Sequence, residues 1–184
     1  MKSAVLLVDP ERAQTAAAVL YAAEFFDLRQ VQYHTRNEKR LKSECCRADW
    51  LLNFLSAPYV PLEVSEKFKG AINFHPGPPE YPGVGSASLA IYDKRSTHGV
   101  TAHVMDDKYD HGEILRVRRF PIDPTWGYKK LFEQSLEHTL GLFIEVCGDI
   151  AAGVPLRKYH GDWAGKAVTR KEFEAHPSFV AVPK

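Results

Sequence analysis

Apolar and polar residues form two kinds of pattern along the chain, continuous apolar runs and periodic spacings. Continuous apolar runs at residues 3–8, 50–55 and 70–74 predict strands buried on both faces, as in a parallel sheet. Residues 29–34 alternate and predict one further strand. Apolar spacing or charge content predicts helices between the strands, and these cover residues 14–26, 38–47, 62–67 and 86–93.

The second half of the chain changes its period. Residues 99–105 alternate between the two faces of a strand, with Thr101 and His103 on the same side, and residues 113–122 alternate again. A polar turn containing a glycine separates these two runs, which together predict a β-hairpin. Residues 128–150 predict a long amphipathic helix. The whole pattern predicts an α/β fold with a mostly parallel sheet, helices on both faces, and a hairpin and long helix at its C-terminal end.

Length and composition favour one globular domain. The chain has 184 residues, of which 45% are hydrophobic and 26% charged, so it can bury a core. We expect residues 1–150 to form that core and residues 151–184 to lie on its surface as a C-terminal segment. A net charge of +1 gives no reason to expect nucleic acid or a membrane as partner. Since no apolar run is long enough for a membrane span or a secretory signal, we expect a cytoplasmic protein.

The third apolar run contains Asn73 near its end and leads directly into His75. Ligands of open α/β sheets bind beyond the carboxyl ends of the strands. Because Asn73 and His75 are two residues apart, an extended chain points both side chains to the same side. An amide can donate to a developing oxyanion and an imidazole can accept a proton, while the hairpin turn offers Asp106, Asp107 and Asp110 as carboxylate partners. The alternative is that these residues only hydrogen-bond within a loop.

Two motifs resemble a known family. The segments INFHPGPPEYPG and GVTAHVMDDKYDHGEIL resemble the core shared by methionyl-tRNA formyltransferase, glycinamide ribonucleotide transformylase and the sugar N-formyltransferases. The resemblance implies a Rossmann-like formyltransferase core, 10-formyltetrahydrofolate as the formyl donor and a small-molecule amine as acceptor. It also implies that Asn73 stabilises the oxyanion, that His75 accepts or relays a proton, and that Asp110 orients the imidazole.

The resemblance further implies where the two substrates bind. The folate would lie between the end of the second apolar run and the hairpin turn, against Phe54, Leu55, Tyr59, Val60, Met105, Asp106, Asp107 and Tyr109. The acceptor would meet the loop that follows His75, through Pro76, Gly77, Tyr81 and Gly83. No metal is expected, because the acidic turn lacks the spacing of a calcium-binding loop.

The loop at residues 76–85, PGPPEYPGVG, departs from the family, in which Ser-Leu-Leu-Pro commonly follows His-Pro. This departure leaves the acceptor open. The run TRKEF at residues 169–173 is most similar to the sugar N-formyltransferases, so we expect a nucleotide-linked amino sugar as acceptor. The long helix and the C-terminal segment would allow a homodimer. The alternatives are a folate-binding or regulatory domain without turnover, and a formyltransferase or hydrolase that acts on another acceptor.

Overall fold

Six strands form one sheet in the order β2-β1-β3-β4-β5-β6 in the computed structural model, which describes residues 1–35, 40–41 and 46–180. β1 to β4 run parallel, β5 is antiparallel to β4, and β6 is antiparallel to β5. The strands are β1 (Ser3–Val8), β2 (Asp27–Tyr33), β3 (Trp50–Phe54), β4 (Gly70–His75), β5 (Thr97–Val104) and β6 (Ile114–Pro121). The predicted α/β fold with a mostly parallel sheet and a hairpin is confirmed.

Helices cover both faces of this sheet. Helices α1 (Thr15–Phe25), α3 (Ser86–Tyr92) and α4 (Tyr128–Ala152) pack on one face, and the short α2 (Leu62–Ser65) packs on the other. Two short helices, α5 (Arg170–Glu174) and α6 (Pro177–Val180), follow in the C-terminal segment. The charged helix predicted at residues 38–47 falls largely outside the described residues. None of the helices in the described part of the chain combines the length and apolar character that a membrane span requires.

Both faces of the sheet are buried because successive strand residues point to opposite sides. In β1, Ala4, Leu6 and Val8 face the layer of α1, α3 and α4, while Val5 and Leu7 face the side of α2. Helix α4 turns one stripe toward the sheet, as its periodicity predicted. The predicted core positions of α4 are all buried, and they are Leu131, Ser135, Leu136, Leu142, Val146 and Ile150.

The register between β4 and β5 brings polar side chains together on the α2 side of the sheet. Asn73 pairs with His103 and His75 pairs with Thr101. Since paired residues of antiparallel strands present their side chains on the same face, these four side chains form one polar patch. The apolar neighbours Ile72 and Phe74 face the core on the opposite side, so the polar side chains of β4 lie on one face of the sheet only.

His98, in β5, is a histidine buried in the core between the sheet and helices α1, α3 and α4, which we call the helix-side core. Its side chain is fully buried, and its ring lies edge-on to Phe120 with ring centroids 5.7 Å apart. Neither ring nitrogen has a hydrogen-bond partner among the described residues. Burial, reinforced by the charges of His75 and Arg119, lowers the pKa of His98 to about 3. His98 is therefore uncharged at neutral pH.

We expect His98 to cost the protein stability in mild acid. Since the pKa of His98 falls from 6.5 to about 3 on burial, protons bind the unfolded chain first. The free energy of unfolding is therefore unaffected by His98 above the unfolded pKa. It decreases as the pH drops below that value, by about 2 kcal/mol at about pH 5. Urea unfolding of wild type and His98→Phe at about pH 7 and about pH 5 measures this loss. The variant should lose about 2 kcal/mol less on acidification, and equal losses in both proteins would contradict the expectation.

Candidate active site

Asp110, in the turn between β5 and β6, is the centre of a buried polar cluster at the carboxyl end of β4. Its Oδ2 accepts a hydrogen bond from the Gly83 backbone N–H at 2.8 Å and lies 3.1 Å from His75 Nδ1. Its Oδ1 accepts from Asn73 Nδ2 at 3.2 Å and lies 3.2 Å from His103 Nε2. The cluster thus joins the three residues that the sequence motifs singled out, and it adds His103 to them.

The carboxylate of Asp110 is a fixed negative charge. Burial alone would raise its pKa, but the charge of His75 and the hydrogen bond from the Gly83 N–H outweigh burial and hold the pKa well below its usual range. The backbone of Asp110 has a φ of 41°, in the left-handed region that aspartate tolerates better than most residues. Because four groups contact its two oxygens, Asp110 has one orientation.

His75, the last residue of β4, lies between two acceptors. Its Nε2 is 3.0 Å from the backbone carbonyl oxygen of Tyr81, and its Nδ1 faces Asp110. A carbonyl oxygen only accepts, so Nε2 carries a proton and Nδ1 is the nitrogen that shares a proton with Asp110. Gly77 allows the loop to pass this ring closely, since a Cβ at Gly77 would lie 2.4 Å from His75 Nε2.

The Pro/Gly-rich loop at residues 76–85 folds around the His75–Asp110 pair. The carbonyl oxygen of Gly77 accepts from Thr101 Oγ1 at 2.8 Å, which fixes the loop to β5. The Tyr81 ring is buried, and its hydroxyl donates to Asp93 Oδ2 at 2.6 Å. Much of this loop therefore braces the cluster, and contact with an acceptor stays a prediction for it. The loop residues expected to meet the acceptor are Pro76, Gly77, Tyr81 and Gly83.

A strap formed by residues 154–168 of the C-terminal segment closes over this loop. The Val84 N–H donates to the Val168 carbonyl, and the Val168 N–H donates to the Pro82 carbonyl, both at 2.9 Å. Gly83 lies between them with a φ of 86°, and a Cβ there would lie 2.3 Å from the Val168 carbonyl oxygen. Glycine is suited to this position because it adopts a positive φ without strain and has no Cβ to clash with Val168.

Gly83→Ala should destabilise the protein more than Gly165→Ala, a matched control that lies in the strap itself. Gly165 also has a positive φ, 89°, but a Cβ there would meet nothing within 4 Å. The control should therefore cost about 1 kcal/mol for its backbone angle alone, and Gly83→Ala about 2–3 kcal/mol because the strap must also move. Urea unfolding of both variants measures the difference. Equal costs would mean that the contact between Gly83 and Val168 contributes nothing.

Trp163, in the strap, covers the two histidines of the cluster. Its ring lies edge-on to His103 at a centroid distance of 5.0 Å and to His75 at 5.9 Å. Its Nε1 donates to the carbonyl of Gly112 at 2.8 Å, which fixes the indole to the hairpin. The sequence patterns gave Trp163 no role, because its only signal is contact with residues far away in the chain. The indole separates His75 and His103 from solvent on this side.

The two segments predicted to enclose the folate meet in the structure. The rings of Tyr59 and Tyr109 lie 5.4 Å apart, and the Tyr59 hydroxyl donates to the Asp107 carbonyl at 3.1 Å. Phe54 differs from this expectation. Its ring is fully buried in the helix-side core, 5.0 Å from the ring of Phe143, so its side chain offers no surface to a ligand.

The floor between these segments combines apolar side chains with polar atoms that lack partners. Val60 and Met105 pack into the α2-side core, and Leu55 takes a φ of 61° at the end of β3. Asn53 Oδ1 and Ser56 Oγ are buried without a hydrogen-bond partner among the described residues. Buried polar atoms without partners cost free energy, so this floor suits a ligand that is apolar with a few polar groups.

Asp106, Asp107 and His111 form an acidic cluster beside the site. One ligand atom from each of these residues lies within 4.8 Å of the others, a spacing that could hold a cation. His111 Nδ1 already contacts Asp106 Oδ2 at 2.6 Å, and the cluster is largely exposed. Exposed acidic groups of this kind are common without a metal.

Comparison with known proteins points to one family. The family model described as formyl transferase matches residues 13–147. Methionyl-tRNA formyltransferase of Wolbachia pipientis is 30% identical over 118 residues, which cover 62% of this chain and 40% of that protein. GDP-perosamine N-formyltransferase of Brucella melitensis is 31% identical over 88 residues, which cover 47% of this chain and 34% of that protein. The chain thus spans less than half of these curated relatives.

A solved structure agrees on the fold. The formyltransferase PseJ from Anoxybacillus kamchatkensis, in complex with UDP-4,6-dideoxy-4-formamido-L-AltNAc and tetrahydrofolate, superposes with a TM-score of 0.74 at 22% identity. The match covers 95% of this chain and 89% of that one. At this identity the likeness shows a shared fold, including the sheet that carries the polar cluster.

Proposed function

The chain belongs to the formyl transferase family, and from that premise we propose that it transfers a formyl group from 10-formyltetrahydrofolate to a primary amine, most favourably a nucleotide-linked amino sugar. The observation that carries the proposal is the joint contact of Asn73, His75 and His103 with the Asp110 carboxylate. A donor amide, a proton-sharing imidazole and a fixed charge at one strand end are the groups that acyl transfer needs.

Each residue of the cluster has a chemical task in this proposal. The folate, when bound, supplies the activated formyl group. The two Nδ2 hydrogens of Asn73 face Asp110 Oδ1 and His103 Nε2. The formyl oxygen, as it gains negative charge, would take the place of one of these two acceptors. As the amine nitrogen bonds to the formyl carbon, the bond from that carbon to the folate nitrogen would break. The proton released by the amine would pass by way of His75 to that leaving nitrogen, while Asp110 beside Nδ1 and the Tyr81 carbonyl beside Nε2 hold the ring. Asp110 orients His75 and balances its charge, and no step is assigned to a metal.

The folate-binding residues in this proposal lie on the Tyr59–Tyr109 side of the cluster. Tyr59 and Tyr109 provide aromatic walls, and the unpartnered Ser56 Oγ provides a polar contact for the ring system. Leu55 offers its left-handed backbone at the end of β3. The further expected contacts are Val60, Met105, Asp106 and Asp107, and Phe54 contributes only as support from the core.

A sugar acceptor is preferred over a nucleic acid for two reasons. The net charge of +1 offers little attraction to a tRNA backbone. One relative acts on GDP-perosamine by name, and the PseJ structure holds a UDP-linked formamido sugar beside tetrahydrofolate. The cytoplasm is the proposed location, and a homodimer stays a prediction.

Incubation of the purified protein with 10-formyltetrahydrofolate and a panel of amines tests the proposal. The panel contains nucleotide-linked amino sugars, the corresponding free amino sugars and methionyl-tRNA, and mass spectrometry detects a gain of one formyl group. We expect formylation of a nucleotide-linked amino sugar only. Formylation of methionyl-tRNA would contradict the acceptor class. Tight binding of tetrahydrofolate without formylation of any amine would contradict the enzymatic proposal in favour of a folate-binding domain.

A further inference from the structure

Asn53 is an amide where the pattern of its strand calls for an apolar residue. It lies in β3 between Leu52 and Phe54, whose side chains are fully buried, and is itself only 7% exposed. In the parallel pairing of β3 with β4, Asn53 stands directly beside Asn73. The two amides therefore lie side by side on the α2 face of the sheet, one strand apart.

Hydrogen bonds define the orientation of the Asn53 amide. Its Nδ2 donates to the Ser56 backbone carbonyl at 3.2 Å and to Asn73 Oδ1 at 2.9 Å. A backbone carbonyl only accepts, so the Ser56 carbonyl requires the NH₂ group of Asn53 on its side. The same NH₂ group then requires the oxygen of Asn73 to face Asn53.

The orientation passes from Asn53 to the reaction centre. With its oxygen turned to Asn53, Asn73 must direct its Nδ2 to the other side, where it donates to Asp110 Oδ1 at 3.2 Å and lies 2.9 Å from His103 Nε2. His103 Nδ1 lies 2.8 Å from the Val104 carbonyl, so the proton is on Nδ1 and Nε2 is free to accept from Asn73. Both ends of the Asn73 amide are thus specified.

We propose that Asn53 is a positioning residue that keeps the NH₂ group of Asn73 directed at the developing formyl oxygen. The inference rests on the proposed formyl transfer. An amide has nearly the same shape in its two flipped orientations, so packing alone does not select one, and a hydrogen-bond partner must. The Oδ1 of Asn53 is buried without a partner among the described residues. Such a buried polar atom lowers the free energy of unfolding, so a role in orienting Asn73 explains why an amide stands here.

Two substitutions of Asn53 separate orientation from packing. Asn53→Leu removes the donor but fits the apolar strand, and we expect kcat to fall about tenfold because Asn73 Oδ1 loses its donor and the amide is no longer held in one position. Asn53→Asp accepts instead of donating, which favours the flipped Asn73, and kcat should fall about a hundredfold. KM for the amine and the Kd for tetrahydrofolate should change less than about twofold in Asn53→Leu, since neither ligand depends on the Asn73 donor in its ground state.

A double-mutant cycle distinguishes a positioning role of Asn53 from a purely structural one. If Asn53 acts only through Asn73, Asn53→Leu should leave kcat unchanged within about twofold in the Asn73→Ala background. An additive loss in the double variant would overturn the proposal, as would a full kcat in Asn53→Leu. Urea unfolding accompanies each variant, so that a loss of fold is recognised as such.

Nuclear magnetic resonance tests the geometry without any turnover. The side-chain ¹⁵N–¹H₂ signals of Asn73, assigned by their loss in Asn73→Ala, should be sharp and shifted in wild type and should broaden or move in Asn53→Leu. Unchanged Asn73 signals would overturn the positioning role even if the enzyme were active. If wild type formylates no amine but the signals respond as expected, the proposed function fails while the orientation of Asn73 by Asn53 stands.

Discussion

Asp110→Asn is expected to lower kcat/KM for formyl transfer by roughly three to four orders of magnitude. The substitution keeps the shape of the side chain, and asparagine tolerates the left-handed backbone of residue 110. The new NH₂ group must face either the Gly83 N–H or the NH₂ group of Asn73, and in each case two hydrogen-bond donors face one another. His75 thereby loses both its orienting partner and the group that shares its proton.

The measurement compares kcat/KM of wild type and Asp110→Asn over a range of pH. Asp27→Asn serves as the matched control, because Asp27 is an exposed carboxylate at the start of β2 that pairs with Arg29. The control should keep wild-type activity. A variant at Asp110 that retained more than about a tenth of wild-type kcat/KM would show that the carboxylate does not orient His75.

Asn73→Ala should lower kcat by about a hundred- to a thousandfold, the usual cost of one lost donor to an oxyanion. The donor acts on charge that appears only in the transition state, so the loss belongs in kcat rather than in KM. Alanine also releases Asn53, His103 and Asp110 from their contacts with the amide. The fold should remain, since the apolar residues of β4 on the opposite face are untouched.

Steady-state kinetics and a tetrahydrofolate titration of Asn73→Ala distinguish the two sources of loss. We expect the Kd for tetrahydrofolate to stay within about threefold of wild type while kcat falls. A raised Kd with an unchanged kcat would instead place Asn73 in ground-state binding. In that case the developing charge on the formyl oxygen must be met by another donor.

The sequence predicted the fold well because the relevant signals are local. Continuous apolar runs, a switch to alternation and one long amphipathic stretch gave β1, β3, β4, the hairpin and α4 within a few residues. The residue pattern offered Asp106, Asp107 and Asp110 as partners of Asn73 and His75, and only the family resemblance selected Asp110, which contacts both in the structure. Their catalytic roles stay predictions.

What the sequence did not disclose depends on contacts between distant residues or on the main chain. The Tyr81 carbonyl and the Gly83 N–H hold His75 and Asp110, and a main-chain group has the same identity at every position. Asn53 reaches Asn73 only because β3 and β4 are neighbours in register. Phe54 was assigned to the folate pocket on its place in a segment, whereas strand alternation turns its ring into the core.

The strap that carries Trp163 has a consequence for the order in which the protein comes apart. It is attached through main-chain hydrogen bonds from the Val84, Tyr159, Ala164 and Val168 amides. Segments with few buried contacts open by local unfolding at a lower free energy than the sheet beneath them. The exchange of these amides with heavy water should therefore be faster than that of the β4 amides. As denaturant is added, the strap should therefore detach first and expose His75 and His103 to solvent while the sheet is still folded.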